Sequence, residues 1–350
     1  MNKGCILLFI IVMFSVTIKA QDEHFSQFYA MPMHMNPALT GAYEGTYRMS
    51  AIYRDQWNNQ LESPFQTFAA GGDTNIDFKI GNQTEPDKIG IGLFFVNDRV
   101  TQFQTVNNRL LGNFSYQKRL GKDKPSFLGA GVQLGITQRN INYDNLTFQD
   151  QFDQISEFDL PTGENLPPNN FGAFDFTVGI NYAIDLGKTD FSAGVALHHV
   201  NQPRYSFFSK LDFPNPSIDI SQRLLSRTVV HLSLNRELSY LAQIQPRIVY
   251  QQQGEHNQLD AGTNFEYRFR DTQSAFILGF WITTLSDLDD FHLENITPLV
   301  GLKQGQFIFG FSYDIHLRDI LSSPFGYNTF EFSIRFSGEY EEGGAFCPTF

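Results

Sequence analysis

From Phe307 to His316 the chain alternates strictly. Phe307, Phe309, Phe311, Tyr313 and Ile315 fall on one side of an extended strand, and Ile308, Gly310, Ser312, Asp314 and His316 on the other. Successive side chains of a strand point to opposite faces, so one face is built of rings and the other of smaller or polar groups. The pattern recurs at 330–336, where Phe330, Phe332, Ile334 and Phe336 oppose Glu331, Ser333 and Arg335. It recurs again at 173–182, where Phe174, Phe176, Val178, Ile180 and Tyr182 oppose Ala173, Asp175, Thr177, Gly179 and Asn181. From about Glu44 onward such segments follow one another, separated by polar turns. They predict strands at 45–55, 65–79, 88–98, 103–119, 126–140, 171–184, 189–201, 223–237, 240–253, 256–270, 274–285, 289–303, 305–316 and 326–337.

Most of these segments exceed the ~9–11 residues that a tilted membrane strand needs. Asp175, Asp314, Glu331 and Arg335 lie on the non-aromatic side, where they would be costly in a dry sandwich core but ordinary in a barrel lumen. The connections point the same way. With turns numbered from the N-terminus, the even ones include the short 120–125, 185–190 and 269–274, while the odd ones include the two longest, 141–170 and 202–222. Outer-membrane barrels have short periplasmic turns and longer external loops. The expected fold class is therefore all-β, a single antiparallel transmembrane β-barrel of about 14 strands over residues 45–338, with its aromatic face toward lipid. A soluble β-sandwich, such as a secreted adhesin, is the competing architecture, but its strands are shorter.

Composition fits this reading. Among 350 residues there are 36 Phe and 14 Tyr, yet the mean hydropathy is −0.26, as expected when rings alternate with polar groups. The one long apolar run, Ile6–Phe14, follows Lys3 and is too short to span a bilayer. Residues 1–20 read as a secretory signal peptide cleaved after Ala20, and the expected location is the outer membrane. Its removal takes away two lysines and no acid, making a formal charge of −12 still more acidic. That balance argues against nucleic acid as a partner. Of the two cysteines, Cys5 precedes the apolar run and Cys347 remains alone, so no internal disulfide is expected.

Residues 21–44 do not alternate. The stretch HFSQFYAMPMHMNPALTG is rich in Met and aromatic residues and contains Pro32 and Pro37. It is too apolar to hang free in water, and is expected to fill the barrel as a plug or to pack on its periplasmic rim. Together with the following strand, which ends YRDQW, it resembles the start of the PorP/SprF family of type IX secretion system outer-membrane proteins of Bacteroidota. The matching positions are Phe25, Ser26, Gln27, Tyr29, Asn36, Pro37, Ala38, Gly41, Tyr53, Arg54, Gln56 and Trp57. The closing CPTF, including Cys347, Pro348 and Phe350, resembles the family's C-terminal end within a tail at 339–350. The resemblance implies a non-enzymatic role in secreting or anchoring surface proteins, including gliding-type adhesins with a type B C-terminal domain. It also implies partners in the translocon or the periplasmic ring lipoproteins, besides outer-membrane lipid.

Other chemistry is weaker. The loop 141–170 carries Asp144, Asp150, Asp153, Glu157, Asp159 and Glu164 without Lys or Arg; clustered oxygens of this kind can bind Ca²⁺, but EF-hand spacing is absent. A solvated acidic loop is the simpler reading. His198 and His199 are neighbours on a predicted strand and should face opposite ways, so they are read as a polar rim pair and not as one metal site. Asp290 and His292 share a strand face as a carboxylate orienting an imidazole would, but lack a second acidic pair, and are read as a charged turn. P-loop, GxSxG, HExxH and CxxC motifs are absent; no catalytic, cofactor or metal residue is assigned. The alternative function is a porin or a carrier of apolar solutes, plugged by residues 21–43, with the charged lumen row lining a channel.

Overall fold

A computed structural model describes residues 22–338, apart from 58–63, 80, 82–84, 102–103, 122–123, 145, 154–157, 159, 208–222, 271, 288–289 and 318–327. The proposed signal peptide and the tail with Cys347, Pro348 and Phe350 lie outside the described residues.

The described strands are β1 (Tyr47–Gln56), β2 (Phe65–Phe78), β3 (Asp87–Val100), β4 (Thr105–Leu120), β5 (Ser126–Ile141), β6 (Asn170–Asp185) and β7 (Thr189–His198). They continue with β8 (Arg227–Ser239), β9 (Ala242–Gln253), β10 (His256–Arg268), β11 (Ser274–Asp287), β12 (Asp290–Gln304), β13 (Phe307–His316) and β14 (Asn328–Gly338). Each pairs antiparallel with its sequence neighbours, and β1 pairs with β14 from Tyr47↔Gly338 to Gln56↔Thr329, closing a 14-strand barrel. Closure leaves no unpaired sheet edge, which is what lets strands span a bilayer. Among the described residues no helix is long and apolar enough to cross a membrane; any crossing is by strands.

The aromatic face points outward. Phe174, Phe311 and Phe332 are 53 %, 44 % and 46 % exposed on the barrel's outer wall, whereas their neighbours Asp175, Ser312 and Glu331 are buried inside. The regular alternation from Phe127 to Gln138 along β5 shows the same division.

Two departures from simple periodicity have local causes. The alternation predicts a strand to residue 201, yet β7 stops at His198, because His199 and Gln202 adopt φ values of +54° and +43°, outside the extended region. The strand predicted from 223 begins instead at Arg227, and the base of the intervening loop is held by an isolated Arg204↔Arg223 bridge. Between β12 and β13 the ladder skips Thr297 and Pro298; proline has no N–H to give. The two longest connections, 142–169 and 199–226, leave the same end of the barrel.

Residues 22–43 run through the lumen. They form a 3₁₀ turn at Phe28–Ala30, a one-turn helix α1 at Pro32–Met35 and a second 3₁₀ turn at Pro37–Leu39. Their apolar side chains make two clusters with inward-facing wall residues. Phe25, Met31 and Met33 pack on Ile52, Phe94, Val96 and Leu111. Phe28, Met35 and Leu39 pack on Val229, Val249 and Trp281. The lumen is thus not uniformly polar: an apolar band meets the apolar segment.

Candidate functional site

Four sets of contacts fix the segment to the wall. The first lies on the closing seam of β13, β14 and β1. Glu331 accepts from the backbone N–H of Ser26 at 2.7 Å and of Gln27 at 2.8 Å, and its other neighbour is the Arg54 guanidinium, which stands directly opposite on β1. Arg54 also reaches Asp314 at 3.3 Å, and Ser26 Oγ donates to Asp314 at 2.8 Å. Gln27 Nε2 donates to Ser312 Oγ at 2.9 Å, while Ser333 Oγ donates to Gln27 Oε1 at 2.7 Å. One buried cation therefore answers two buried carboxylates, and the remaining lone pairs are met by the segment, as a buried ion pair requires.

The second set lies at mid-height. Asn36 Oδ1 accepts from Ala38 N at 2.9 Å, capping the 3₁₀ turn that Pro37 opens. Its amide donates to Ile180 O at 3.0 Å and to His231 Nε2 at 3.0 Å. The wall is glycine where this turn touches it. A Cβ at Gly179 would lie 2.0 Å from Asn36 Oδ1, and one at Gly131 would lie 2.4 Å from Ala38 N. Ser115 Oγ and Gln117 Nε2 donate to Thr40 O at 2.6 and 2.8 Å.

The third set is at the short-turn end. Gly41, at φ +71°, gives its N–H to Asp73 at 2.8 Å. Arg48 holds the same carboxylate through two N–H groups at 2.9 and 2.7 Å and lies 4.3 Å from the Tyr43 ring centroid.

The fourth set is at the long-loop end. Asp22 contacts His199 at 2.6 Å and Arg227 at 3.3 Å, and His199 bonds Asp175 at 2.9 Å. Glu23 pairs with Arg109 and lies 3.2 Å from His34. Burial works against the charge on His199, but the two carboxylates beside it prevail and raise its pKa to about 8. Burial likewise opposes ionisation of Asp22, yet His199, Arg227 and Arg109 hold its carboxyl well below the usual range.

These contacts place the residues singled out in the sequence. Phe25, Ser26, Gln27, Asn36, Pro37, Ala38, Gly41 and Arg54 are all buried in the segment–wall interface. Tyr29 stacks on Trp281, with centroids 5.4 Å apart. Tyr53 instead bonds Asp55 at 3.0 Å, Gln56 ends β1, and Trp57 packs edge-on against Phe65. The expectation that His198 and His199 face apart is corrected. His199 lies past the strand end at positive φ, so alternation no longer governs it, and both rings are buried. His198 Nε2 stands 2.9 Å from Met35 O, so the pair fastens the segment and is not a solvent-facing rim. His292 contacts Glu294 at 3.4 Å, and the Asp290 side chain lies outside the described residues. In the acidic loop, Asp150 accepts from Thr162 Oγ1 and Gly163 N; Glu157 and Asp159 lie outside the described residues. Among the described residues no three His, Cys, Asp or Glu side chains are grouped to hold a metal. Periodicity alone did not single out Asp22, Arg48, Asp73, Arg109, Arg227 and His231. Their signal is a charged or imidazole side chain at an inward position, or in the segment itself.

The family model for the type IX secretion system membrane protein PorP/SprF matches residues 17–336. The chain belongs to this family. No curated protein matches it by sequence. In structure it is similar to the Pseudomonas putida toluene transporter TodX, at 10 % identity and TM-score 0.51, covering 92 % of this chain and 100 % of that one. It is also similar to the CymD monoaromatic hydrocarbon channel, at 11 % identity and TM-score 0.50, covering 89 % and 94 %. At such identity these likenesses speak for the fold alone, that of outer-membrane barrels. As a PorP/SprF member the chain is a type IX secretion membrane component built as an outer-membrane barrel, and the lumen segment carries most of the positions that led to that family.

Proposed function

We propose that this PorP/SprF protein is a non-enzymatic outer-membrane barrel that serves type IX secretion by binding, helping adhesin-like cargo to be secreted or held at the surface. The short-turn end faces the periplasm and the translocon or its ring lipoproteins, and the loops 142–169 and 199–226 face outward toward cargo. The observation carrying this reading is the lumen segment. Asn36, Leu39 and Thr40 and the wall residues Thr177, His231 and Glu331 are all at most 0 % exposed, so segment and wall close on each other at those levels. A barrel filled and fastened in this way suits a fixed binding element better than an open pore. The two hydrocarbon-channel likenesses keep solute transport as the competing reading.

The test is a mild-detergent pull-down of the tagged protein from outer membranes, read by mass spectrometry. Translocon components, ring lipoproteins or a large adhesin should co-purify. A barrel recovered alone that also conducts in planar bilayers would overturn the reading in favour of transport.

A further inference from the structure

The short-turn end of the lumen carries a row of side chains at one height. Arg335 on β14 stands opposite Ile308 on β13, which stands opposite Lys303 on β12. Lys303 in turn stands opposite Ala275 on β11, and Ala275 opposite Arg268 on β10. Directly opposed residues share a face, and Ala275 is buried inside the barrel, so the whole row points inward. It borders a cavity of about 310 Å³ that is also lined by Arg48 and Arg247. Among the described residues that line it, five are cations and two, Glu44 and Glu266, carry carboxylates.

Two of the cations have carboxylate partners, Arg48 in Asp73 and Arg268 in Glu266 at 3.2 Å and Glu237 at 3.7 Å, and Arg247 donates to Gln245 Oε1 at 3.2 Å. Lys303 and Arg335 have no carboxylate within ion-pair distance among the described residues. In a chain of formal charge −12, a polar lumen by itself calls for no such local excess of cations. A cleft lined by one sign of charge between low-dielectric walls concentrates ions of the other sign.

The inner end of the cavity is different. A smaller space of about 50 Å³ adjoins it through the shared lining of Arg247, Ile308 and Arg335, and is lined by the apolar Tyr29, Ile277 and Leu299 beside polar side chains that include Asn264 and Glu266. Arg247 lies at this junction, 5.0 Å from the Tyr29 ring centroid. Cations at the mouth, with the apolar side chains of Tyr29, Ile277 and Leu299 behind them, are the complement of an amphipathic anion. We propose that this cavity binds a small organic carboxylate carrying a short hydrocarbon chain. The carboxylate sits between Arg335 and Lys303, where a guanidinium fork matches its two oxygens, and the chain points inward toward Tyr29, Ile277 and Leu299.

The test is titration of the full-length mature protein in nanodiscs with hexanoate, by calorimetry against empty discs and by fluorescence in a Trp57→Phe background. Trp281, stacked on Tyr29 and 3 % exposed, then reports occupancy of the inner end. Hexanoate should bind saturably and change Trp281 emission, with hexanol and inorganic phosphate each at least tenfold weaker. Arg335→Gln should weaken hexanoate binding at least tenfold and Lys303→Gln several-fold, the latter being a rim change that does not depend on Arg335→Gln folding. Absence of saturable hexanoate binding, equal binding of hexanol or phosphate, or unchanged affinity in a folded Lys303→Gln protein would overturn the proposal. Since no secretion partner takes part, the outcome is independent of the secretion reading.

Discussion

Replacing Arg54 with Met keeps the volume of the side chain's stem and removes the one cation between Glu331 and Asp314. Those carboxylates are 0 % and 1 % exposed, so neither can recover hydration while the segment stays in place. Removing one partner of a buried pair costs about 3–5 kcal/mol, because the other charge is stranded. Glu331 still accepts from Ser26 N and Gln27 N, which puts the expected loss near the lower bound, ~3 kcal/mol. The barrel keeps its strand ladder, including the full β1–β14 register, so the loss falls on docking of the segment. At about 1.4 kcal/mol per factor of ten, the undocked fraction rises roughly 100-fold.

A cysteine at Met33, which is 1 % exposed, reads that fraction when Cys347 is replaced by Ser and a soluble maleimide is added. With reclosing faster than labelling, the modification rate follows the open population. Arg54→Met should raise it about 100-fold, and adding Glu331→Gln with Asp314→Asn should restore most of the protection, because the stranded charges are then gone. A rate within about threefold of the parent, in a protein that still migrates as a folded barrel, would refute the reasoning.

Gly179→Ala should cost about 1–3 kcal/mol of docking by overpacking, since its Cβ would meet Asn36 Oδ1 at 2.0 Å; in an Asn36→Ala background the same change should cost clearly less in the labelling assay, the contact with Pro37 Cδ at 3.1 Å being what is left. At the long-loop end, the pKa of His199 is about 8 against an ordinary 6.5, so its stabilisation is complete below the ordinary value and is lost as pH rises through 8, worth roughly 2 kcal/mol. The depressed Asp22 carboxyl stays ionised throughout that window. The protection factor of a peptide spanning residues 22–33, which is its hydrogen-exchange rate corrected for the base-catalysed intrinsic rate, should fall between pH 6 and 9, and His199→Gln should flatten that profile. Phe311→Arg or Phe332→Arg, on the outer wall, should cost about 2–4 kcal/mol in refolding titrations with phospholipid vesicles; an unchanged midpoint would mean that this face does not meet lipid.

The barrel was legible because its signal is local. Phe307 to Ile315 and Phe330 to Phe336 declare their faces within a few residues, and loop lengths sort the two ends without any tertiary information. Where alternation is the only guide it fails with the backbone: at His199 a single positive φ turned a residue expected to face away from His198 into a second buried ring. The fastening of the lumen segment was legible only in part. Ser26, Gln27 and Arg54 were singled out by family resemblance, but their partners Glu331 and Asp314 lie some 260 to 305 positions away, and one-dimensional periodicity carries no register across such a distance. Gly179 and Gly131 look like ordinary inward small residues until Asn36 and Ala38 are seen against them.

The distribution of the contacts bears on what a partner can do from one side. Only residues 44–46 separate the lumen segment from β1, so a freed segment stays at high effective concentration and re-docks. A protein binding at the short-turn end first meets Tyr43, Arg48 and Asp73, and displacing these loosens Gly41 and its neighbours. Asn36 beneath Gly179 and the pairs of Arg54 lie beyond them, and the Asp22–His199 contact lies at the opposite mouth. Their chemistry also differs, with ion pairs at both ends, a backbone-tight turn in the middle and apolar clusters between. Losing one set leaves the others intact. Opening the lumen from the short-turn side would therefore require the partner to break several separate contacts in turn, each worth about 1 kcal/mol or more. An interface that changes only the near end costs far less. On the proposed function, the barrel is accordingly a fixed anchor whose short-turn face and outer loops do the binding, with the segment keeping the lumen filled.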